Sequence, residues 1–107
     1  MIARIWHGWT SLQNADKYET LLKDEIFVGI QNRHIPGFKS IQLLRRSMAN
    51  EVEFITIMIF DSLDAVCEFA GTDYEQAVVP EEARAVLSRF DQRSQHYEIK
   101  TEQKSNE

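Results

Sequence analysis

The sequence predicts one small α+β domain, an antiparallel four-stranded sheet with both main helices on one face and the other face bare. Three observations predict it. Apolar side chains alternate with period two in four separate runs, and they recur at helical spacing in two runs between them. The third β-rich run, Phe54-Ile55-Thr56-Ile57-Met58-Ile59-Phe60, is apolar on both sides. One layer of helices covers only one side of such a strand, so its second face needs another cover.

Residues 2–9 alternate β-branched, aromatic and polar side chains, which makes them strand one, and residues 10–14 break the alternation. Asn14 can cap a helix over residues 15–33, Asp16 places an anion in its first turn, and Tyr18, Leu22, Ile26 and Ile30 form its stripe. Pro36-Gly37 ends it. Residues 38–47 and 52–60 read as a hairpin closed by the polar turn 48–51. Asp61 or Ser62 then caps a second helix carrying Leu63, Val66, Cys67 and Ala70, which Gly71 stops. Pro80 suits the start of a short helix with the stripe Ala83, Val86, Leu87 and Phe90, and residues 94–100 give the last strand. Residues 1–100 are therefore the domain. Residues 101–107 are polar without an apolar anchor and read as a flexible tail.

The order β-α-β-β-α-β with one extra short helix is that of the ferredoxin-like sandwich. A bare apolar face on so small a domain is best covered by the same face of a second copy, so the chain is expected as a homodimer.

Composition narrows the partners. The chain has 107 residues, 43% of them hydrophobic, and 17 acidic against 12 basic residues give a net charge of -5. There is no basic stripe for a phosphate backbone, so nucleic acid is excluded. No apolar run approaches the ~20 residues of a membrane span, and the N-terminus lacks the features of a signal peptide. Cys67 is the single cysteine and reads as a structural thiol in a reducing, cytoplasmic setting. His7, His34 and His96 fall on different elements without ligand spacing, so no metal site is expected. Glycine-rich phosphate cradles and a Gly-x-Ser-x-Gly elbow are also missing, and no cofactor is expected.

Period-two logic divides the faces. It puts Ile55, Ile57 and Ile59 under the helices with Ile41, Leu43, Ala3, Ile5 and Tyr97. The bare face then carries Arg4, Trp6, Gln42, Leu44, Arg46, Phe54, Thr56, Met58, His96 and Glu98, an apolar bed with a few polar groups suited to a small ligand.

Several stretches carry a family resemblance: Trp6-His7-Gly8-Trp9 at the end of strand one, Glu51-Val52-Glu53-Phe54 opening strand three, residues 69–80 after the second helix, and His96-Tyr97-Glu98 in the last strand. In these the chain, over residues 1–100, resembles the antibiotic-biosynthesis-monooxygenase family of dimeric α/β barrels. The resemblance implies a dimer and an oxidoreductase acting on an aromatic or quinol-like molecule without metal or flavin. Haem-degrading members use an Asn on strand one, a His on the second helix and a Trp on strand three, and this sequence has none of the three.

An oxygenase without cofactor must hold a phenol or enol, help remove its proton and exclude water. His96 is the candidate general base, supported by Glu98, and Arg4 the candidate stabiliser of the anion. Trp6, Phe54 and Met58 would line the ring site, with Tyr74 at its mouth. Each has a plainer reading: His96 as the partner in a local hydrogen bond, Arg4 as half of an ion pair with an acid across the sheet, and Trp6 and Phe54 as dimer core. His7 reads as a cap on the helix-side core and His34 as a complement to the helix dipole. The alternative function is a non-catalytic dimeric module that binds a small apolar ligand or stabilises a complex.

Overall fold

The computed structural model describes residues 1–106; Glu107, the last residue of the expected tail, lies outside them. The elements run β1 (Ile2–Ser11), α1 (Ala15–Leu21), a π turn (Leu22–Ile26), α2 (Phe27–Asn32), β2 (Phe38–Ser47), β3 (Glu51–Phe60), α3 (Leu63–Ala70), α4 (Glu81–Arg84), β4 (Arg89–Phe90) and β5 (Gln95–Glu98). The sheet is antiparallel in the order β2-β3-β1-β4, with β5 also paired to β1. This is the expected α+β sandwich with one correction. The sheet has five strands rather than four, because Arg89 and Phe90 leave the predicted helical stripe to pair with Trp9 and Gly8. The short helix accordingly ends at Arg84.

The first helical segment is continuous from α1 to α2 but carries the π turn at its middle. Tyr18, Leu22, Ile26 and Ile30 are spaced by four, and each such step overshoots a turn of 3.6 residues by about 40°. A wider π turn takes up that drift and keeps the four side chains on one line against the sheet. Asn14 does not cap α1. Its side chain donates instead to the Val86 carbonyl at 3.4 Å, tying the helix start to the chain after α4. On α3 the cap is Ser62, whose Oγ accepts from the Ala65 N–H at 3.3 Å, and Gly71 stops the helix at φ 93°, a conformation that favours glycine.

The division of the faces is reversed for β1, β3 and β5. Val52, Phe54, Met58 and Phe60 lie under the helices, packed with Tyr18, Leu22, Val66 and Phe69 in two buried clusters. Arg4 and Trp6 share that side, as their pairing with Met58 and Thr56 requires. Ala3, Ile5, Ile55, Ile57 and Ile59 therefore face away from the helices, and Tyr97 with them, 56% exposed. Only β2 keeps its expected orientation, with Ile41 and Leu43 against the clusters. The cause is volume. A helix layer stands about 10 Å from a sheet, and Phe54, Met58 and Phe60 fill that gap better than isoleucines do.

His7 is on the open face too, bonded through Nδ1 to Glu53 at 3.0 Å, rather than on the helix-side core. His34 follows α2 with φ 49° and is exposed. Cys67 is half-buried and free. No helix among the described residues is long and apolar enough to cross a membrane.

Candidate active site

A cavity lies between the sheet and its helices. Arg4, Trp6, Thr56 and Met58 form its sheet side, and Leu22, Ile26, Phe27 and Ile30 of the π turn and α2 form the opposite wall. Val78, Val79 and Pro80 close it from the strap that joins α3 to α4.

Arg4 sits near the start of β1, beside Met58 on one neighbour and His96 on the other, and is only 3% exposed. Nη1 donates to the Tyr74 carbonyl and, at 3.0 Å, meets His96 Nε2; Nη2 donates to the Gln76 carbonyl at 3.1 Å. The guanidinium also lies 5.4 Å from the centre of the Phe69 ring. All these partners are neutral, so the ion pair across the sheet that was the plainer reading of Arg4 does not form. Burial lowers its pKa to about 10, which leaves it charged at neutral pH.

Arginine only donates, so His96 Nε2 must accept, which makes the ring neutral and puts its proton on Nδ1. That Nδ1 is buried without a partner. Desolvation first and the Arg4 charge second hold the His96 pKa below its ordinary value, partly offset by Glu75. The Tyr74 ring meets the imidazole edge-on at 5.1 Å.

Arg4, Trp6 and Met58 thus meet in one cavity, as their shared parity predicts, but beneath the helices and not on the bare face. His96 stands behind Arg4 and does not line the cavity. Phe54 is fully buried below Tyr18, ring centres 4.8 Å apart, and likewise does not line it. Tyr74 acts through its carbonyl on Arg4 and its ring on His96. Glu98 points into solvent, where its carboxylate meets Lys100 at 2.7 Å, and it does not support His96. Gln42, Leu44 and Arg46 remain on the open face with Glu53, which Arg46 reaches at 2.6 Å.

Two cavity residues escaped the sequence reading. Tyr18 looked like one more member of an apolar helical stripe, and Ser94 like the polar start of a strand. The sign that could have found Ser94 is parity, since it shares a face with His96. Gly8 has a local task here: a Cβ would lie 2.7 Å from Trp6 Cη2, so only glycine leaves room for the indole, whose Nε1 donates to the Asp91 carbonyl at 2.8 Å. Among the described residues no three His, Cys, Asp or Glu side chains converge as metal ligands.

The resemblance read from the sequence holds in three dimensions. The chain superimposes with a TM-score of 0.67 on a Bacillus cereus protein described as a "putative antibiotic biosynthesis monooxygenase", covering 97% of both chains at 13% identity. At that identity the likeness establishes the fold. No protein-family model matches the sequence, and no curated protein does.

Proposed function

We propose that the chain is a cofactor-independent monooxygenase whose cavity holds a small aromatic or quinol-like molecule as its oxyanion on Arg4. The observation that carries this reading is the buried guanidinium with only neutral partners, set in a largely apolar wall. Leaving a cation unpaired there costs several kcal/mol, and a phenolate offsets much of that cost. Trp6, Phe27, Met58 and Phe69 supply apolar and aromatic contacts to a ring.

Stabilising the anion makes the ring electron-rich enough to react with dioxygen. In the balanced reaction a ring C–H para to the hydroxyl becomes C=O and the hydroxyl carbon becomes the second C=O; the ring hydrogen and the phenolic proton leave with the second oxygen atom as water, and the substrate supplies all four electrons. His96 takes the phenolic proton. Its Nε2 lone pair is engaged by Arg4 in the closed form, and it is freed when Nη1 turns toward the substrate oxygen.

The cavity as it stands holds about 60 Å³, well below the roughly 150 Å³ of a cavity that takes benzene. A ring therefore enters only when a wall gives. The strap is the candidate, because Arg4 itself holds it by two carbonyls.

The same reading makes the protein a cytoplasmic homodimer, with the apolar stripe of Ala3, Ile5, Ile55, Ile57 and Ile59 against its copy in a second subunit. A dimer contact through the face carrying Phe54 and Met58, expected to be bare, is ruled out by their burial under the helices. The second reading, a non-catalytic ligand-binding module, is favoured by one observation, that His96 stands outside the cavity lining. Oxygen uptake with a panel of phenols and quinols decides between them. His96→Ala should cost about 10²–10⁴ in rate with the dimer intact if the imidazole is the base. Tight binding of the same phenols without any oxygen uptake would leave only the binding module.

A further inference from the structure

Tyr18 and Ser94, which line the cavity together with Thr56, concern what the ligand looks like, given that the cavity is a binding site as proposed above. Tyr18 is 1% exposed, its ring stacks edge-on against Phe54, and its hydroxyl hydrogen-bonds to no protein group among the described residues. Ser94 is 3% exposed and its Oγ is buried with no partner. Buried hydroxyls are nearly always bonded, so the orphaned Ser94 Oγ needs an explanation, and the Tyr18 hydroxyl, not fully enclosed, is a second hydroxyl of the same lining without a protein partner among the described residues.

Their positions are informative. Ser94 belongs to the Arg4 end: it directly precedes β5, and its N–H donates to the Glu75 carbonyl, between the two carbonyls that hold the guanidinium. Tyr18 belongs to the other end. It lies on Phe54, which pairs with Gly8, four residues along β1 from Arg4 and hence about 13 Å away at the backbone. Trp6 and Thr56 lie between these ends as neighbours across β1 and β3.

We propose that Tyr18 and Ser94 read the oxygens of the ligand, so that the cavity is built for a ring system oxygenated at both ends, one oxygen on Arg4 and Ser94 and the other on Tyr18. A ring with a single hydroxyl satisfies Arg4 and leaves the Tyr18 hydroxyl bare. A dihydroxylated ring satisfies both, and a site built this way rejects the analogue lacking one oxygen more strongly than an apolar pocket rejects a missing methylene.

Calorimetric titration with 2,6-dihydroxynaphthalene and with 2-naphthol tests this. The wild-type protein should bind the diol about five- to tenfold more tightly, the worth of one net hydrogen bond. Tyr18→Phe should erase that preference while leaving 2-naphthol affinity unchanged, and its melting temperature should be no lower, since it removes a hydroxyl without a partner. Ser94→Ala should weaken both ligands alike. Equal binding of the two by the wild type, or a preference that survives in Tyr18→Phe, overturns the proposal while the cavity stays a ligand site. Binding of neither compound overturns the proposed function and this inference together.

Discussion

The two faces of the sheet treat charge in opposite ways. On the open face each charged group is paired: Glu53 with His7 and Arg46, and Glu51 with Arg89, whose guanidinium also stacks on Trp9 at 3.9 Å. On the covered face Arg45 is paired with Asp16 and Glu19 at the rim, whereas the buried cation, Arg4, is left with neutral partners where desolvation costs most. Pairing is abundant where it contributes little and missing where it would contribute most. A protein selected only to fold would have placed an apolar residue at position 4, and the arrangement is better explained by an anion that arrives from outside.

The sharpest break of the comparison is a charge placed on each face of β3. Met58→Lys puts an unpaired cation among Phe60, Val66 and Phe69 and should destabilise the subunit by about 3–5 kcal/mol, read by denaturant unfolding. Ile57→Lys on the opposite face should leave each subunit folded, within about 1 kcal/mol, and yield monomers by sedimentation. If the two variants behaved alike, the assignment of faces would be wrong.

Arg4→Met removes the unpaired cation. Relief from desolvation and loss of the two strap hydrogen bonds oppose each other, so global stability should move by no more than about 1 kcal/mol. Amide exchange in residues 73–77 should nevertheless quicken, and phenolate affinity should fall about 10–100-fold. Unchanged exchange in that strap would mean that Arg4 does not hold it.

A smaller effect distinguishes the faces by pH. Folding lowers the His96 pKa, so above about pH 6.5 both folded and unfolded imidazoles are neutral and contribute nothing. Below it the unfolded chain takes up a proton that the folded chain resists, and stability falls as pH drops toward the folded pKa, by at most about 1.4 kcal/mol per pH unit. His96→Gln should flatten this slope in thermal melts between pH 7 and 5.

Glu53 has the opposite sign. The His7 hydrogen bond first, then Arg46, lower its pKa, so its contribution is present above about pH 4.3 and is lost on further acidification. Glu53→Gln should cost about 1 kcal/mol or less at neutral pH, and less still in high salt.

Much of this was legible in the sequence, because turn chemistry is local. Pro36-Gly37, the Ser62 cap and the Gly71 stop mark boundaries that the structure keeps. Parity grouped Arg4 with Trp6 and with Met58 as cavity residues correctly. Which face they occupy was not legible, for a physical reason: β3 is apolar on both sides, and an arginine on β1 argues for solvent unless its burial is known. The Tyr18 hydroxyl was hidden likewise, since helical spacing registers a tyrosine as bulk and is silent about where its oxygen points. The two-residue strand β4 is too short for any alternation to show.

The pairing of β1 has a consequence for how the chain is made. This strand comes first, yet its partners β3, β4 and β5 all come later, and the Arg4 side chain waits for groups 70, 72 and 92 residues further on. Contacts of such long sequence separation are slow to form. During synthesis the strand emerges early and keeps one edge unpaired until residues 89–98 have left the ribosome, a period in which it can capture a neighbouring nascent chain. The cavity is accordingly among the last features the polypeptide acquires, and a chain cut before Ser94 would retain its hairpin while lacking both the His96 partner of Arg4 and the anchor of the strap on Ser94.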